Sequence, residues 1–330
     1  MHALVITDKN RPIVMQEREA LHAGKGEAIV KVYAAALNHR DVWIQKGQYA
    51  GLRYPIIPGS DGAGVVVEGP GEWIGKEVII NPAIGWGNSP THQDQQTFKI
   101  LGLPDDGTFA EYVKVPAGNL AEKPQHLSFE EAAALPLAGA TAYRSLFTRA
   151  QLRAREKVLI TGIGGGVALS ALKFALAAGA RVYVSSGDDE KIARAIALGA
   201  KGGVNYKQDN WVESLQEQAG GFDITIDGAG GEGMSALMEL ASPGGRLVFY
   251  GSTCGNPSSL VARRIFWKQL NILGSTMGSP EDFNAMIGFV NKFAIRPAID
   301  KVFPFADGEA AFRRMENAQQ FGKIVLKVSH

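Results

Sequence analysis

The stretch Lys157-Val158-Leu159-Ile160-Thr161-Gly162-Ile163-Gly164-Gly165-Gly166-Val167-Ala168 constrains the fold of this chain more than any other. Its first residues form a short, branched, apolar run with the texture of a buried strand. Four glycines follow within five positions, and then an alanine-rich helical run extends to Ala178. A strand that turns through glycines into a helix lets the backbone approach a pyrophosphate closely. The unpaired N–H groups of the first helical turn then meet its negative oxygens. Gly164, Gly165, Gly166 and Val167 are therefore candidate dinucleotide contacts, with a turn that serves packing alone as the alternative. The glycine spacing is irregular, since aligning on Gly165 and Ala168 puts Ile163 where the first glycine should stand.

Strands alternate with helices around this loop. Strands are predicted at 181–185, 222–227, 246–250 and 270–274, and a helix over 189–198 that Gly199 stops. Near-continuous apolar strands alternating with helices require a parallel sheet covered on both faces. Residues 1–120 differ. Short β-branched runs at 28–33, 64–68, 77–80 and 110–115 are separated by Gly and Pro, as in a small barrel or sandwich. The texture changes near 125, where Ser128 and Glu131 form a capping box. A last strand, 323–328, follows a helix over 307–318. The expected fold is α/β, a doubly wound parallel sheet over 124–295 with a β domain from 1–123 and 296–330. Residues 82–107 form a long polar stretch, read either as a lid-like loop or as a structural insertion.

Charge and cysteine content narrow the function. The 330 residues carry a net charge of +1, which gives no electrostatic case for nucleic acid or an anionic membrane. The single cysteine, Cys254, permits neither an intrachain disulfide nor a cysteine-built zinc site. His2, His22, His39, His92, His126 and His330 are scattered without metal-ligand spacing. No apolar run reaches the roughly 18 residues of a membrane helix, and Met1–Asp8 turns polar too soon for a signal peptide. A cytoplasmic enzyme or binding protein is expected.

The cofactor type turns on the end of the strand at 181–185. A carboxylate there would bind the ribose hydroxyls of NAD and repel a 2′-phosphate. Here Ser185 and Ser186 are neutral donors, Lys191 follows on the next helix, and Asp188 stands just past the turn. The serines and Lys191 favour NADP(H). Asp188 argues for NAD(H), unless it is a helix-start residue favoured by the dipole.

Several further motifs together resemble the medium-chain dehydrogenase/reductase superfamily over nearly the whole chain. They are Leu37-Asn38-His39-Arg40-Asp41, Gly59-Ser60-Asp61-Gly62-Ala63-Gly64, Gly107-Thr108-Phe109-Ala110-Glu111-Tyr112, Leu135-Pro136 through Tyr143, Tyr250-Gly251-Ser252 and Gly322-Lys323-Ile324-Val325-Leu326. The resemblance implies a GroES-like β domain, to which the C-terminus returns, and a Rossmann domain between. Zinc alcohol dehydrogenases of that superfamily hold a catalytic metal at positions that match Asn38, Ser60 and Leu137, with Asp61 as the following acid. These residues make no zinc ligand set. The lobe that carries four structural zinc cysteines in the family matches residues 85–100, which have none. The resemblance thus implies the zinc-free, quinone-oxidoreductase-like branch, whose members pass hydride from NADPH to quinones or activated C=C bonds.

In that branch Lys191 and Tyr206 match residues on the 2′-phosphate, Thr141 one beside the nicotinamide, and Tyr49 a tyrosine on the substrate side. Gly251 and Lys323 join the cofactor-binding set through their motifs, and the branch implies a homodimer paired through the 270–273 edge strand. Charge that develops on a substrate oxygen must meet a donor. The candidates are Tyr49, Asn38 and Arg40. Each has a plainer reading: a surface aromatic for Tyr49, a turn amide for Asn38, and a structural pair with Asp41 or Asp61 for Arg40. The expected activity is NADPH-dependent reduction of a quinone, enal or enone. A metal-free alcohol dehydrogenase and a crystallin-like cofactor-binding protein are the alternatives.

Overall fold

The structure, a computed structural model, describes Met1–Val328, so His330 lies outside the described residues. The backbone divides into two compact units, one formed by Met1–Leu137 with the chain from Ser279 onward, the other by Ala138–Gly278.

The first unit is mostly β. Strands β1 (His2–Val5) and β2 (Val14–Glu17) pair antiparallel. Next come β3 (Glu27–Ala36), helix α1 (His39–Gln45), β4 (Asp61–Glu68) and β5 (Glu77–Ile80). The short strands β6 (Ala83–Ile84) and β7 (Lys99–Ile100) pair with each other, and β8 (Tyr112–Pro116), β9 (Leu120–Glu122) and α2 (Phe129–Ala133) follow. Strand β3 organises this unit because it is long enough to take two neighbours along one edge. It pairs β8 through Glu27–Lys31 and the C-terminal strand through Ala34–Ala36, with β4 on its other side. Leu4, Ile44, Phe109 and Phe312 are fully buried beneath the sheet, with Phe109 edge-on to Phe312 at 6.0 Å.

The polar stretch 82–107 is an insertion with its own packing. Trp86, Leu101 and Leu103 are buried, and Phe98 meets Trp86 edge-on at 5.6 Å. Gly102 and Gly107 pack on the Gly59 backbone so closely that a Cβ at Gly107 would stand 2.7 Å from the Gly102 Cα.

Helix α3 (Pro136–Tyr143) leads into the second unit and continues as a π-helical turn, Arg144–Arg149. The unit then runs β10 (Lys157–Ile160), α4 (Gly166–Ala177), β11 (Arg181–Ser186), α5 (Asp189–Ala197), β12 (Gly202–Asn205), α6 (Trp211–Ala219), β13 (Phe222–Asp227), α7 (Gly233–Leu240), β14 (Ala241–Phe249), α8 (Ala262–Lys268) and β15 (Asn271–Gly274). The sheet is parallel in the order β12-β11-β10-β13-β14-β15. Successive strands run outward on one side of β10 and then on the other, so the winding direction reverses between β10 and β13, where doubly wound sheets bind ligands. Val158, Ile160, Val182, Val184, Ile224 and Ile226 are fully buried, as covered parallel strands must be.

The chain returns to the first unit through α9 (Pro280–Lys292), β16 (Ile299–Pro304), α10 (Gly308–Glu316) and β17 (Lys323–Lys327). The unit borders fall at 137/138 and 278/279, not at the 124 and 295 expected from composition. Helix α2 packs on the β unit, with the Phe129 ring stacked on Tyr33 at 4.7 Å and Glu131 paired with Arg296 at 2.5 Å. Periodicity reveals that such a helix exists but not which sheet covers it.

Candidate active site

In the second unit, the end of β10 and the end of β13 are tied together at the point of reversal. Thr161 Oγ1 donates to Asp227 Oδ1 at 2.5 Å, and Asp227 Oδ2 accepts the Gly230 N–H at 2.7 Å. The glycine loop starts there. Gly162 and Gly164 have φ of +61° and +123°, which favour glycine. Gly165 is the N-cap of α4 and offers no side-chain oxygen, so the first-turn N–H groups of Gly166, Val167 and Ala168 have no intrahelical acceptor. A Cβ placed on Gly162 would meet nothing within 4 Å, so the loop faces open space. The loop has the donors and the clearance that a pyrophosphate needs.

The end of β11 carries the residues next to it. Ser185 and Ser186 are buried. Asp188 is the N-cap of α5: its Oδ1 accepts the N–H of Glu190 at 2.9 Å and of Lys191 at 3.4 Å. The helix-start reading of Asp188 therefore matches its contacts. Lys191 sits in the first turn of α5. The Tyr206 N–H donates to Ser186 O at 3.0 Å, which brings Tyr206 beside Ser186. A Cβ on Gly187 would lie 2.8 Å from Lys207 Cε and 2.9 Å from the Tyr206 hydroxyl, so both side chains cover this turn. Lys207 was missed in the sequence, where the only signal was its adjacency to Tyr206. Gly251 abuts Gly228, since a Cβ on it would stand 2.9 Å from Gly228 O, and the Tyr250 N–H donates to Asp227 O at 3.0 Å. Burial and the nearby Asp227 push the Tyr250 phenol above its usual range. Thr141 is buried on α3.

The first unit holds a cluster of buried polar groups around Asp61. Lys323 Nζ donates to Asp61 Oδ2 and to Asn38 Oδ1, each at 2.7 Å. Asn38 Nδ2 also donates to Asp61 Oδ2, at 3.0 Å, and Asp61 Oδ1 accepts the Leu137 N–H at 2.8 Å. Both functional ends of the Asn38 amide are thereby engaged, and the Lys323 ammonium is directed to Asn38 and Asp61.

Arg40 belongs to a neighbouring network. Its Nη1 donates to Ser60 Oγ at 2.7 Å and to Leu101 O at 2.8 Å, and Ser60 Oγ donates to Leu101 O at 2.8 Å. Neither Asp41 nor Asp61 hydrogen-bonds to it, contrary to the expected pairing. Asp61 takes Lys323 instead, and Asp41 caps α1 by accepting the Asn38 N–H at 2.7 Å. Tyr49 is half-buried, with the Arg40 guanidinium 5.0 Å from its ring centre and Arg40 Nε 3.4 Å from its hydroxyl. Of the predicted donors, the structure thus groups Arg40 with Tyr49 and Asn38 with Lys323.

These donors do not suit zinc. Asn38 Oδ1 is bonded to one cation and Ser60 Oγ to another, and Leu137 has an aliphatic side chain. A dication there would face an ammonium and a guanidinium. Among the described residues, no three of His, Cys, Asp and Glu stand together as a metal site.

A doubly wound sheet with an uncapped glycine turn at its reversal, joined in one chain to a β unit holding buried ionic networks, defines a dinucleotide-dependent oxidoreductase. Residues 24–125 match the alcohol dehydrogenase GroES-like domain, and 166–292 match the zinc-binding dehydrogenase family. The chain is 36% identical to the zinc-type alcohol dehydrogenase-like protein YogA of Leptosphaeria maculans, covering 92% of this chain and 91% of that one. It is 28% identical to a quinone oxidoreductase of Mus musculus, over 91% and 88% of the two chains. A crystal structure of an NAD-dependent alcohol dehydrogenase superposes with a TM-score of 0.93 at 35% identity, covering all of both chains. The chain belongs to the medium-chain dehydrogenase/reductase superfamily and is an NAD(P)H-dependent oxidoreductase.

Burial raises the Asp41 carboxyl from its ordinary 3.8 to about 6, against the opposing pull of Arg40 and of the Asn38 N–H. A raised native pKa means that the folded state holds the proton more tightly. Its contribution is therefore full below about pH 4 and is lost as pH rises through 6, which costs roughly 3 kcal/mol at neutral pH. Asp41→Asn keeps an acceptor for the Asn38 N–H without the charge. In urea titrations it should be more stable than the parent at pH 7.5 by roughly 1–3 kcal/mol, and the difference should shrink towards pH 4. A pH-independent difference would contradict this.

Proposed function

We propose that the protein is an NADPH-dependent reductase that delivers hydride to an activated C=C bond or a quinone, without a metal. The observation that carries the reading is the pair of fixed cations, Arg40 and Lys323, bonded to the residues that match the family's zinc ligands. With cations already there, stabilisation of a developing oxyanion falls to side-chain donors. Tyr49, Asn38 and Arg40 are the candidates, and all three lie in the first unit.

The cofactor is held by the second unit in this reading. Gly164, Gly165, Gly166 and Val167 cradle the pyrophosphate, and Gly251 and Thr141 lie along the rest of the molecule. The nicotinamide supplies the hydride when bound. The 2′-phosphate is met by Ser186, Lys191 and Tyr206, with Lys207 added. Two features support NADP(H) over NAD(H): the Asp188 carboxylate that would repel a phosphate is engaged in capping α5, and Lys207 adds a cation.

A second reading, a metal-free alcohol dehydrogenase, is favoured by the names of YogA and of the superposed crystal structure. Purified protein should oxidise NADPH with enals, enones or quinones, and chelators should leave the rate unchanged. Alcohol-dependent reduction of NAD(P)+ with no acceptor reduction would replace the first reading with the second. Lys191→Ala should weaken NADPH roughly 10- to 100-fold, the worth of one charge-assisted contact, and leave NADH nearly unchanged in fluorescence titrations. Equal loss for both nucleotides would remove Lys191 from the phosphate site.

The partner proposed is a second copy of the chain. Strand β15 is the outermost strand of its sheet, and beside it Phe266 and Trp267 of α8 are 65% and 77% exposed. An open strand edge flanked by exposed aromatic groups is an association surface that folded proteins otherwise cover. Sedimentation should report a dimer at micromolar concentration, and Trp267→Glu with Ile272→Lys should shift it to monomer. A parent that sediments as a monomer would refute the pairing.

A further inference from the structure

A buried guanidinium ordinarily sits against a carboxylate, because an unpaired interior charge is costly. Arg40, only 6% exposed, hydrogen-bonds to none, although its charge still acts on Asp41. The nearest acids are engaged by others, Asp61 by Lys323 and Asn38, and Asp41 by the Asn38 and Gly59 N–H groups. Arg40 is anchored at Nη1 by two neutral acceptors, Ser60 Oγ and Leu101 O, and Ser60 Oγ is itself fixed on Leu101 O. Its positive charge is therefore oriented but not neutralised by a hydrogen-bonded acid. What it reaches on the other side is Tyr49, through Nε at 3.4 Å and through the ring face at 5.0 Å. The Tyr49 oxygen accepts that N–H, and among the described residues its own proton has no acceptor.

We propose that Tyr49 donates the proton that completes the reduction and that Arg40 is its positioning residue, clamped by Ser60 Oγ and the Leu101 carbonyl. The proposal rests on the reductase reading above and narrows its substrate class to α,β-unsaturated carbonyl compounds. When hydride adds to the β-carbon, the C=C electron pair shifts through the carbonyl and its charge gathers on oxygen. The Tyr49 O–H bond breaks, its proton goes to that oxygen, and the electron pair left on the phenolate lies beside Arg40. Water then returns a proton to Tyr49, and the enol becomes the ketone or aldehyde. The N–H from Arg40 occupies one side of the phenol oxygen, which directs the O–H elsewhere. A quinone needs this proton less, because its reduced oxygen is already stabilised by the aromatic ring. Asn38 belongs to the scaffold, since Lys323, Asp61 and Asp41 engage its side chain and its N–H. Leu101 gives the 82–107 insertion a part in the same device, because its carbonyl holds the guanidinium in place.

The test uses the full-length protein and its Tyr49→Phe, Arg40→Met, Arg40→Lys and Ser60→Ala variants, with folding checked by circular dichroism. Cofactor-free protein is titrated with 4-nitrophenolate, a planar oxyanion, by its visible absorbance. Tyr49→Phe and Arg40→Met should each weaken binding about 10-fold, and the double variant should be no weaker than either alone, as expected for one coupled unit. Arg40→Lys keeps the charge but loses the planar fork, so it should fall between parent and Arg40→Met. With NADPH, Tyr49→Phe should lower kcat on cyclohexenone about 100- to 1000-fold and change benzoquinone turnover far less, with NADPH affinity unchanged. Ser60→Ala should lower kcat on cyclohexenone without changing NADPH affinity.

Independent, multiplying effects of the two substitutions on 4-nitrophenolate would overturn the pair, as would an unaltered cyclohexenone rate in Tyr49→Phe. If the parent reduces neither cyclohexenone nor benzoquinone, the reductase reading fails. The 4-nitrophenolate titration needs no cofactor or acceptor, so it still decides whether Arg40 and Tyr49 act together.

Discussion

The carboxylate of Asp61 is the contact on which the first unit depends. It stands at the start of β4 with no exposure to solvent and accepts from three directions: Lys323 on β17, Asn38 just before α1, and the Leu137 N–H in the first turn of α3. Asp61 and these partners come from four separate parts of the sequence. A buried carboxylate tolerates such a position only when a cation and further N–H donors meet it, and loss of one member of such a pair typically costs about 3–5 kcal/mol. The C-terminal strand is thus attached to the β unit by an ionic bond as well as by its backbone pairing with β3. The same bond keeps Asn38 oriented, and Asn38 is the N-cap of the helix that carries Arg40.

Two cations reside in this interior, and they are handled differently. Lys323 has its acid. Arg40 hydrogen-bonds only to neutral oxygens, those of Ser60, Leu101 and Tyr49, and Asp41 feels its charge without a hydrogen bond to it. That difference follows from geometry: Lys323, at the start of β17, lies against Asp61, and Asp41 turns back to cap its own helix. The positive charge of Arg40 acts on the Asp41 carboxyl and on the Tyr49 ring. The positions that match the family's zinc ligands thus carry hydrogen bonds to an ammonium and a guanidinium, Asn38 to Lys323 and Ser60 to Arg40.

The second unit works by a different economy of structure. Its loop at the point of sheet reversal is defined by what glycines lack, with open space above Gly162 and an uncapped helix start. The turn after β11 follows the same logic, because the missing Cβ of Gly187 admits Tyr206 and Lys207. Asp188, just beyond that turn, serves the start of the next helix. A carboxylate that caps α5 is held on the amides of Glu190 and Lys191.

Much of this was legible in the sequence. The apolar run from Lys157 and the glycines after it specify a strand, a turn and a helix by period and by the lack of side chains, which are local properties. The capping box at Ser128 and Glu131 is local as well, and it formed as read, with Ser128 Oγ accepting the Glu131 N–H at 3.2 Å. The absence of cysteine clusters already removed a cysteine zinc site. Sequence could not decide which sheet α2 packs against, because both sheets offer an apolar face. Nor could it assign partners to Arg40, Asn38 and Lys323, since residues separated by up to 285 positions along the chain meet there. It named Arg40 and Tyr49 but not the Ser60–Leu101 clamp, because a backbone carbonyl leaves no mark on the sequence. The tertiary structure decided these contacts because hydrogen bonds between buried groups depend on where the backbone has brought them, and a side chain's identity fixes only what it can donate or accept.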